Sequence, residues 1–136
     1  MNLKINRLQH IGLPIVDMEI SKSFYERLGF SNAMSSTFMH QGAEGKVVMM
    51  KRDDIIIELY QMPEPELSDI RNRKNGRIDH FAFDVDDIDE TFQLMKSAGF
   101  SIPEKEPVFL NFWEKGCKYF YIIGPDGERL EFCQIL

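Results

Sequence analysis

An internal duplication constrains the fold of this chain more than any other feature of its sequence. Residues 10–30, HIGLPIVDMEISKSFYERLGF, align without a gap on residues 80–100, HFAFDVDDIDETFQLMKSAGF, at an offset of 70 residues. Residues 53–62 align on residues 126–135 at an offset of 73, and one three-residue insertion accounts for the difference. The chain is therefore predicted to contain two copies of one structural unit, because repeats of this kind mark duplicated supersecondary units.

Each copy has the pattern of a strand, a helix and three further strands. Apolar residues alternate around His10 and His80, as in half-buried strands, and an aspartate precedes each helix as a candidate N-cap. The predicted apolar stripes of the two helices are Ile20, Phe24 and Leu28 in the first copy and Ile88, Phe92 and Met95 in the second. The later strands are expected near residues 32–40, 45–52 and 55–62, and near 103–112, 118–124 and 128–135. The predicted class is α+β, built from two βαβββ modules.

The length and composition place these modules in one small domain. We expect a first module over residues 1–62, a linker over 63–76 that is rich in proline and charge, and a second module over 77–136. A chain of 136 residues buries enough surface to fold without a disulfide or a structural metal. Cys117 and Cys133 are accordingly predicted to be reduced, buried thiols.

The charge and hydropathy exclude two classes of partner. A formal net charge of −6 argues against nucleic acid, which requires a basic surface. No segment approaches the roughly 20 apolar residues of a membrane helix, and the N-terminal residues lack the apolar core of a signal peptide. We therefore expect a cytoplasmic protein that acts on a small molecule, with no nucleic-acid or membrane partner.

Four duplicated polar residues are the candidate site. His10 and His80 occupy equivalent strand positions, and so do Glu58 and Glu131. In each strand the large apolar neighbours point to one face, so these four side chains point to the other. Two imidazoles and two carboxylates form a ligand set for a first-row divalent metal, and the carboxylates favour octahedral over tetrahedral ions. A single strand histidine is more often structural than a ligand, but that explanation does not account for the recurrence of all four residues.

The duplicated motifs resemble those of the vicinal-oxygen-chelate superfamily, which includes glyoxalase I, fosfomycin-resistance proteins, bleomycin-resistance proteins, methylmalonyl-CoA epimerase and extradiol dioxygenases. HIGLPIVDMEISKSFYERLGF is similar to the opening signature of these proteins, and GPDGERLEFCQ is similar to the closing one. The resemblance implies that both modules form a curved, mixed-sheet half-barrel around one metal ion, with the helices on the outer face. It also implies that His10, Glu58, His80 and Glu131 bind this ion, which could be Ni, Zn, Co, Mn or Fe.

The complete His-Glu-His-Glu set is most similar to that of glyoxalase I, a lactoylglutathione lyase. The resemblance therefore implies a lyase or isomerase that acts on the hemithioacetal of a 2-oxoaldehyde and a thiol through a metal-stabilised enediolate. Glu131 is the first candidate for the catalytic base and Glu58 the second. Residues that could bind the substrate are Phe112, Trp113, Tyr119 and Arg27. A homodimer is expected, because modules of this superfamily pair within one chain or across a dimer.

Three alternatives remain open at this level. An epimerase of the superfamily is one, although such epimerases tend to carry glutamine at the position of Glu58. A fosfomycin-type resistance enzyme is another, but its relatives use three metal ligands. The last is a binding protein without catalysis, similar to bleomycin-resistance proteins, which typically lack the ligands that His10 and His80 would supply.

Overall fold

The computed structural model describes residues 1–27, 29–73, 78–123 and 129–136. These residues divide into two compact units, one of residues 10–79 and the other of residues 1–9 together with 80–136. Each unit contains a mixed four-stranded sheet and one helix from the duplicated pattern, so the predicted α+β class with two βαβββ modules is confirmed. The prediction that Leu28 belongs to the apolar stripe of the first helix falls outside the described residues.

The first βαβββ module has its strands in the order β2-β3-β4-β1. β1 runs parallel to β4, and the other neighbours are antiparallel. Because a parallel pair needs a long crossover connection, the module's helix and two strands lie between β1 and β4 in the chain. The elements are β1 (Arg7–Pro14), α1 (Met18–Arg27), β2 (Ser31–His40), β3 (Ala43–Arg52) and β4 (Ile55–Gln61).

The second module repeats this arrangement with its strands in the order β5-β8-β7-β6, and β5 is parallel to β8. Its elements are β5 (His80–Asp84), α3 (Ile88–Ser97), β6 (Val108–Leu110), β7 (Cys117–Ile123) and β8 (Arg129–Ile135). β6 is much shorter than the predicted strand at 103–112. Pro103 and Pro107 lack a backbone N–H and cannot donate to a strand ladder, which explains the irregular backbone before Val108.

The helix of the second module packs as the sequence predicted. Ile88, Phe92 and Met95 are buried and contact Phe120 and Phe132 on one face of the sheet. Asp87 caps the helix, because its Oδ1 accepts a hydrogen bond of 2.8 Å from the backbone N–H of Glu90. These contacts fix the covered face of the sheet.

The helix of the first module packs on a different stripe from the one predicted. Ile20 and Phe24 are 71% and 53% exposed, whereas Met18 is buried in the core with Leu59 and Tyr25 packs against it. The prediction that Ile20 and Phe24 face the core is therefore wrong. Asp17 does cap this helix as expected, since its Oδ1 accepts a hydrogen bond of 3.0 Å from the backbone N–H of Ile20.

The duplicated glutamines join the last strand of each module to the start of its helix. Gln61 Oε1 accepts a hydrogen bond of 3.0 Å from the backbone N–H of Met18. Gln134 Oε1 accepts the equivalent bond of 3.1 Å from Ile88. Each glutamine thereby satisfies a backbone donor of the first helical turn, which has no partner within the helix.

The predicted linker contains a short helix, α2 (Glu66–Asn72). His40 at the end of β2 lies against it, with Nε2 3.0 Å from Oε1 of Glu66. This hydrogen bond is the largest cause that lowers the pKa of Glu66. His40 has no duplicated counterpart in the second module. Its side chain is partly buried and contacts α2 through Glu66.

A glycine on β3 leaves room for an aromatic ring from the neighbouring strand. Gly45 is the cross-strand partner of Phe38. A Cβ atom on Gly45 would lie 2.4 Å from the ring of Phe38, which is closer than two carbon atoms can approach. A side chain at this position would therefore require the Phe38 ring to move.

Candidate metal centre

The first candidate pair of ligands lies on the parallel strands of the first module. Glu58 on β4 is the register partner of Gly12 on β1, two residues after His10. The neighbouring Leu59 packs in the helix-covered core, so Glu58 points to the opposite, uncovered face. His10 Nε2 lies 3.8 Å from Glu58 Oε2, and the two side chains are 2% and 12% exposed.

The second pair repeats this geometry in the other module. Glu131 on β8 is the register partner of Ala82 on β5, two residues after His80. His80 Nε2 lies 3.3 Å from Glu131 Oε2, and both side chains are buried. Glycine or alanine opposite each glutamate leaves the space that the carboxylate occupies. The repeat in the sequence is thus a repeat in three-dimensional structure.

The separations within the pairs fit ligation of a divalent metal. Two donor atoms that each lie about 2.1 Å from one ion are roughly 3.0 Å apart at octahedral angles and roughly 3.4 Å apart at tetrahedral angles. The distances of 3.3 and 3.8 Å are close to this range. Both exceed the usual length of an N–H···O hydrogen bond. Imidazole and carboxylate donors together suit Zn, Mn, Fe, Co and Ni.

Tyr121 and Arg129 lie beside the second pair. The ring of Tyr121 on β7 makes an edge contact with the ring of His80, with centroids 5.6 Å apart. The guanidinium carbon of Arg129 on β8 lies 4.1 Å from the centroid of the Tyr121 ring. The backbone N–H of Tyr121 also donates a hydrogen bond of 3.0 Å to Oε2 of Glu104, which lies in the irregular segment before β6.

The predicted substrate-binding residues occupy different environments. Tyr119 makes an edge contact with the ring of Tyr121 at 5.4 Å, which brings it to the surroundings of His80. Phe112 is buried in the loop after β6, and Trp113 beside it adopts a left-handed φ of 65°. Arg27 is exposed in the last turn of α1, which packs on the face of its sheet opposite to Glu58. Contact of these residues with a substrate stays a prediction.

The two cysteines lie near Glu131 and are free thiols, as the sequence predicted. A hydrogen bond with Cys117, burial and the charge of Glu131 raise the pKa of Cys133 well above its ordinary value. Gln9 Nε2 lies 3.1 Å from the sulfur of Cys133 and donates to it. A buried thiol with a raised pKa stays protonated at neutral pH and is a poor nucleophile.

None of the helices in the described part of the chain combines the length and the apolar character that a membrane span requires.

Comparisons with known proteins identify relatives over nearly the whole chain. The family model described as the Glyoxalase/Bleomycin resistance protein/Dioxygenase superfamily matches residues 7–132. The uncharacterized protein YwbC of Bacillus subtilis (strain 168) is 28% identical over 131 residues, which cover 94% of this chain and 97% of YwbC.

Solved structures show the same fold at lower identity. Methylmalonyl-CoA epimerase from Mycobacterium tuberculosis is 14% identical with a TM-score of 0.78, covering 97% of this chain and 89% of the epimerase. A mutant of 4-hydroxymandelate synthase from Streptomyces coelicolor is also 14% identical, with a TM-score of 0.72. That match covers 94% of this chain and 48% of the synthase. These likenesses establish the fold, which several reactions share.

Proposed function

The chain belongs to the Glyoxalase/Bleomycin resistance protein/Dioxygenase superfamily, and we propose from this premise that it is a metal-dependent lyase or isomerase of glyoxalase I type. The observation that carries the proposal is the pair of buried imidazole and carboxylate groups at equivalent strand positions of both modules. In this proposal the four side chains His10, Glu58, His80 and Glu131 hold one divalent ion.

Each of these residues would then have a metal-binding role, a proton-transfer role, or both. His10 and His80 bind through Nε2, the atom that faces the carboxylate in each pair. When bound, the ion would act as a Lewis acid on a substrate oxygen and make the adjacent C–H more acidic. A glutamate carboxylate removes the proton from that carbon and returns it to the neighbouring carbon. This transfer converts a hemithioacetal into a 2-hydroxy thioester without any external oxidant or reductant.

Glu131 is our first choice for the carboxylate that moves the proton. Its side chain is the less exposed of the two glutamates, at 7% against 12%. A base of this kind contributes about 10²–10⁴-fold to the rate. Glu58 is the second choice, and the two are distinguished by comparing kcat for Glu131→Gln and Glu58→Gln.

Metal stoichiometry is the first test of the proposal. The protein is stripped with a chelator, reloaded with Mn, Co, Ni or Zn, and analysed for bound metal per chain. One shared ion predicts one equivalent in the wild type and a loss of that ion in both His10→Ala and His80→Ala. Two independent sites would give two equivalents in the wild type and one in each variant, which would contradict the proposal. His40→Ala is the matched control, because His40 also pairs with a glutamate but lies on β2 beside α2.

Turnover is the second test. The metal-loaded protein is assayed with the methylglyoxal hemithioacetals of glutathione and of several smaller thiols, by following thioester formation. Activity with at least one thiol that is lost on chelation and restored by metal is the expected result. No activity with any thiol under any metal would remove the glyoxalase reaction.

Epimerisation is the second candidate function. The solved epimerases are named for methylmalonyl-CoA, a thioester that also carries a carboxylate, and the cation of Arg129 near His80 would suit such a substrate. Proton removal and return at one carbon inverts its configuration. The test is incorporation of solvent deuterium at the carbon between the carboxylate and the thioester, which the glyoxalase reaction does not require.

A further inference from the structure

Arg129 is held in a defined position beside the second His–Glu pair. Its guanidinium lies over the face of the Tyr121 ring, 4.1 Å from the ring centroid, whereas His80 contacts the edge of the same ring. Cation–π stacking of this kind orients a guanidinium plane and limits its conformations. Tyr121 is itself held by the ring of Tyr119 and by the bond from its backbone N–H to Glu104.

The strand register places this cation on the same face as the candidate ligands. Arg129 is the register partner of His80 across the parallel pair of β5 and β8. Glu131 lies two residues further along β8, so both side chains project from the same face of the sheet. Two residues of a strand span about 6.7 Å, so the guanidinium and the carboxylate can both reach one bound small molecule.

We propose that Arg129 binds a carboxylate that the substrate carries beside its metal-binding oxygens. This inference rests on the proposed metal centre and narrows its substrate class to small chelating acids, such as the epimerase-type candidate or the adduct of a 2-oxoaldehyde with a thiol that carries a carboxylate. A guanidinium has five N–H donors in a planar fork, so it can bind a carboxylate through two of them and still keep another partner. The negative charge of Glu131 on the same face opposes a doubly charged phosphate more than a singly charged carboxylate.

Matched hydroxamates test this proposal without requiring turnover. A hydroxamate chelates a metal through two adjacent oxygens, so acetohydroxamate reports on the metal alone. Malonate monohydroxamate adds one carboxylate, and phosphonoacetohydroxamate adds a phosphonate instead. Binding of each compound to the Mn- or Zn-loaded protein is measured by calorimetry. We expect malonate monohydroxamate to bind about ten- to a hundredfold more tightly than acetohydroxamate.

The variants assign this preference to the guanidinium. Arg129→Gln should abolish the preference for the carboxylate and leave the affinity for acetohydroxamate within about twofold, and Arg129→Lys should retain part of it because lysine lacks the planar fork. Lys96→Gln is the matched control, since it removes a cation that rests on the Phe92 ring of α3, at 5.8 Å from the centroid. This control should keep the full preference.

The other possible results of the binding experiment would each contradict a different part of the proposal. Equal binding of acetohydroxamate and malonate monohydroxamate by the wild type would overturn the role of Arg129 while leaving the metal centre intact. A stronger preference for the phosphonate would overturn the assignment to a carboxylate. An equal loss of both hydroxamates in Arg129→Gln would show a structural role only. A protein that binds metal but no hydroxamate, or binds no metal, would contradict the proposed function itself.

Discussion

The glutamine that joins β8 to α3 gives a prediction whose size follows from the structure. Gln134 Oε1 accepts a hydrogen bond from the backbone N–H of Ile88, the first residue of the helix. Gln134→Met keeps the length and volume of the side chain but removes the acceptor. The N–H lies in a partly buried position and would lose its partner. An unsatisfied donor of this kind costs about 1–3 kcal/mol, and partial access to water favours the lower half of that range.

Thermal unfolding measures this cost. For a chain of this length a loss of 1 kcal/mol lowers Tm by roughly 3–5 °C, so Gln134→Met is expected to melt about 3–10 °C below the wild type. Gln61→Met in the first module should have a similar effect, because it removes the equivalent bond to Met18. Gln93→Met is the control, as Gln93 is exposed on α3. Equal melting temperatures for Gln134→Met and Gln93→Met would refute the reasoning.

Three further predictions concern a thiol pair, an ion pair and a close contact. Cys117 and Cys133 should react with a disulfide reagent at least tenfold more slowly than the same thiols in urea, since both thiols are buried and the raised pKa of Cys133 keeps that thiol protonated. Equal rates would contradict this. The bond to His40 lowers the pKa of Glu66, so it stabilises the folded state fully at pH values above the ordinary glutamate pKa of about 4.3. This stabilisation is lost as the pH falls through the lowered pKa of the folded protein. The unfolding free energies of wild type and Glu66→Gln should therefore differ near neutral pH and converge in acid, and a constant difference would be inconsistent with the pair. Gly45→Ala should lower Tm by several degrees, because the new Cβ would overlap the Phe38 ring. Gly42→Ala is the comparison: a Cβ there meets no neighbouring atom, so this variant tests only the cost of the left-handed φ.

Strand positions and the orientation of the His–Glu pairs were predictable because alternation has a strict period of two. Once one neighbour of Glu58 or Glu131 is known to be buried under a helix, the glutamate must point to the other face. The duplication supported these strand assignments, because equivalent positions in the two copies carry the same pattern. The helix caps at Asp17 and Asp87 followed from local chemistry alone.

The packing face of α1 was not predictable from periodicity. Ile20 and Phe24 form an apolar stripe at helical spacing, yet the structure buries Met18 and packs Tyr25 against the sheet. A hydrophobic stripe shows where apolar residues lie on a helix. The rotation of the helix about its own axis, which decides the face that packs on the sheet, depends also on its tertiary contacts. One such attachment is the bond from Met18 to Gln61, which joins residues that are 43 positions apart.

The short helix α2 was also missed, for a different reason. Its sequence is rich in charge and proline and has only one buried apolar residue, Ile70. A helix of this length does not form from its own propensity and depends on tertiary contacts. The contact in this case is the bond between His40 and Glu66, which has no signature in either segment considered alone.

The duplication also explains why the metal ligands were predicted from the sequence and Arg129 was not. It selects residues that occur in both halves, and a metal ion can be held by the same two ligands from each half. A substrate with different groups at its two ends has no such symmetry, so the residues that distinguish those ends must differ between the modules. Arg129 corresponds to Ile56 at the offset of 73, and Tyr121, which lies opposite Glu131, corresponds by register to Met49, which lies opposite Glu58. If Arg129 binds the substrate carboxylate as proposed, the repeated residues bind the ion and these unmatched residues determine which end of the site receives the carboxylate.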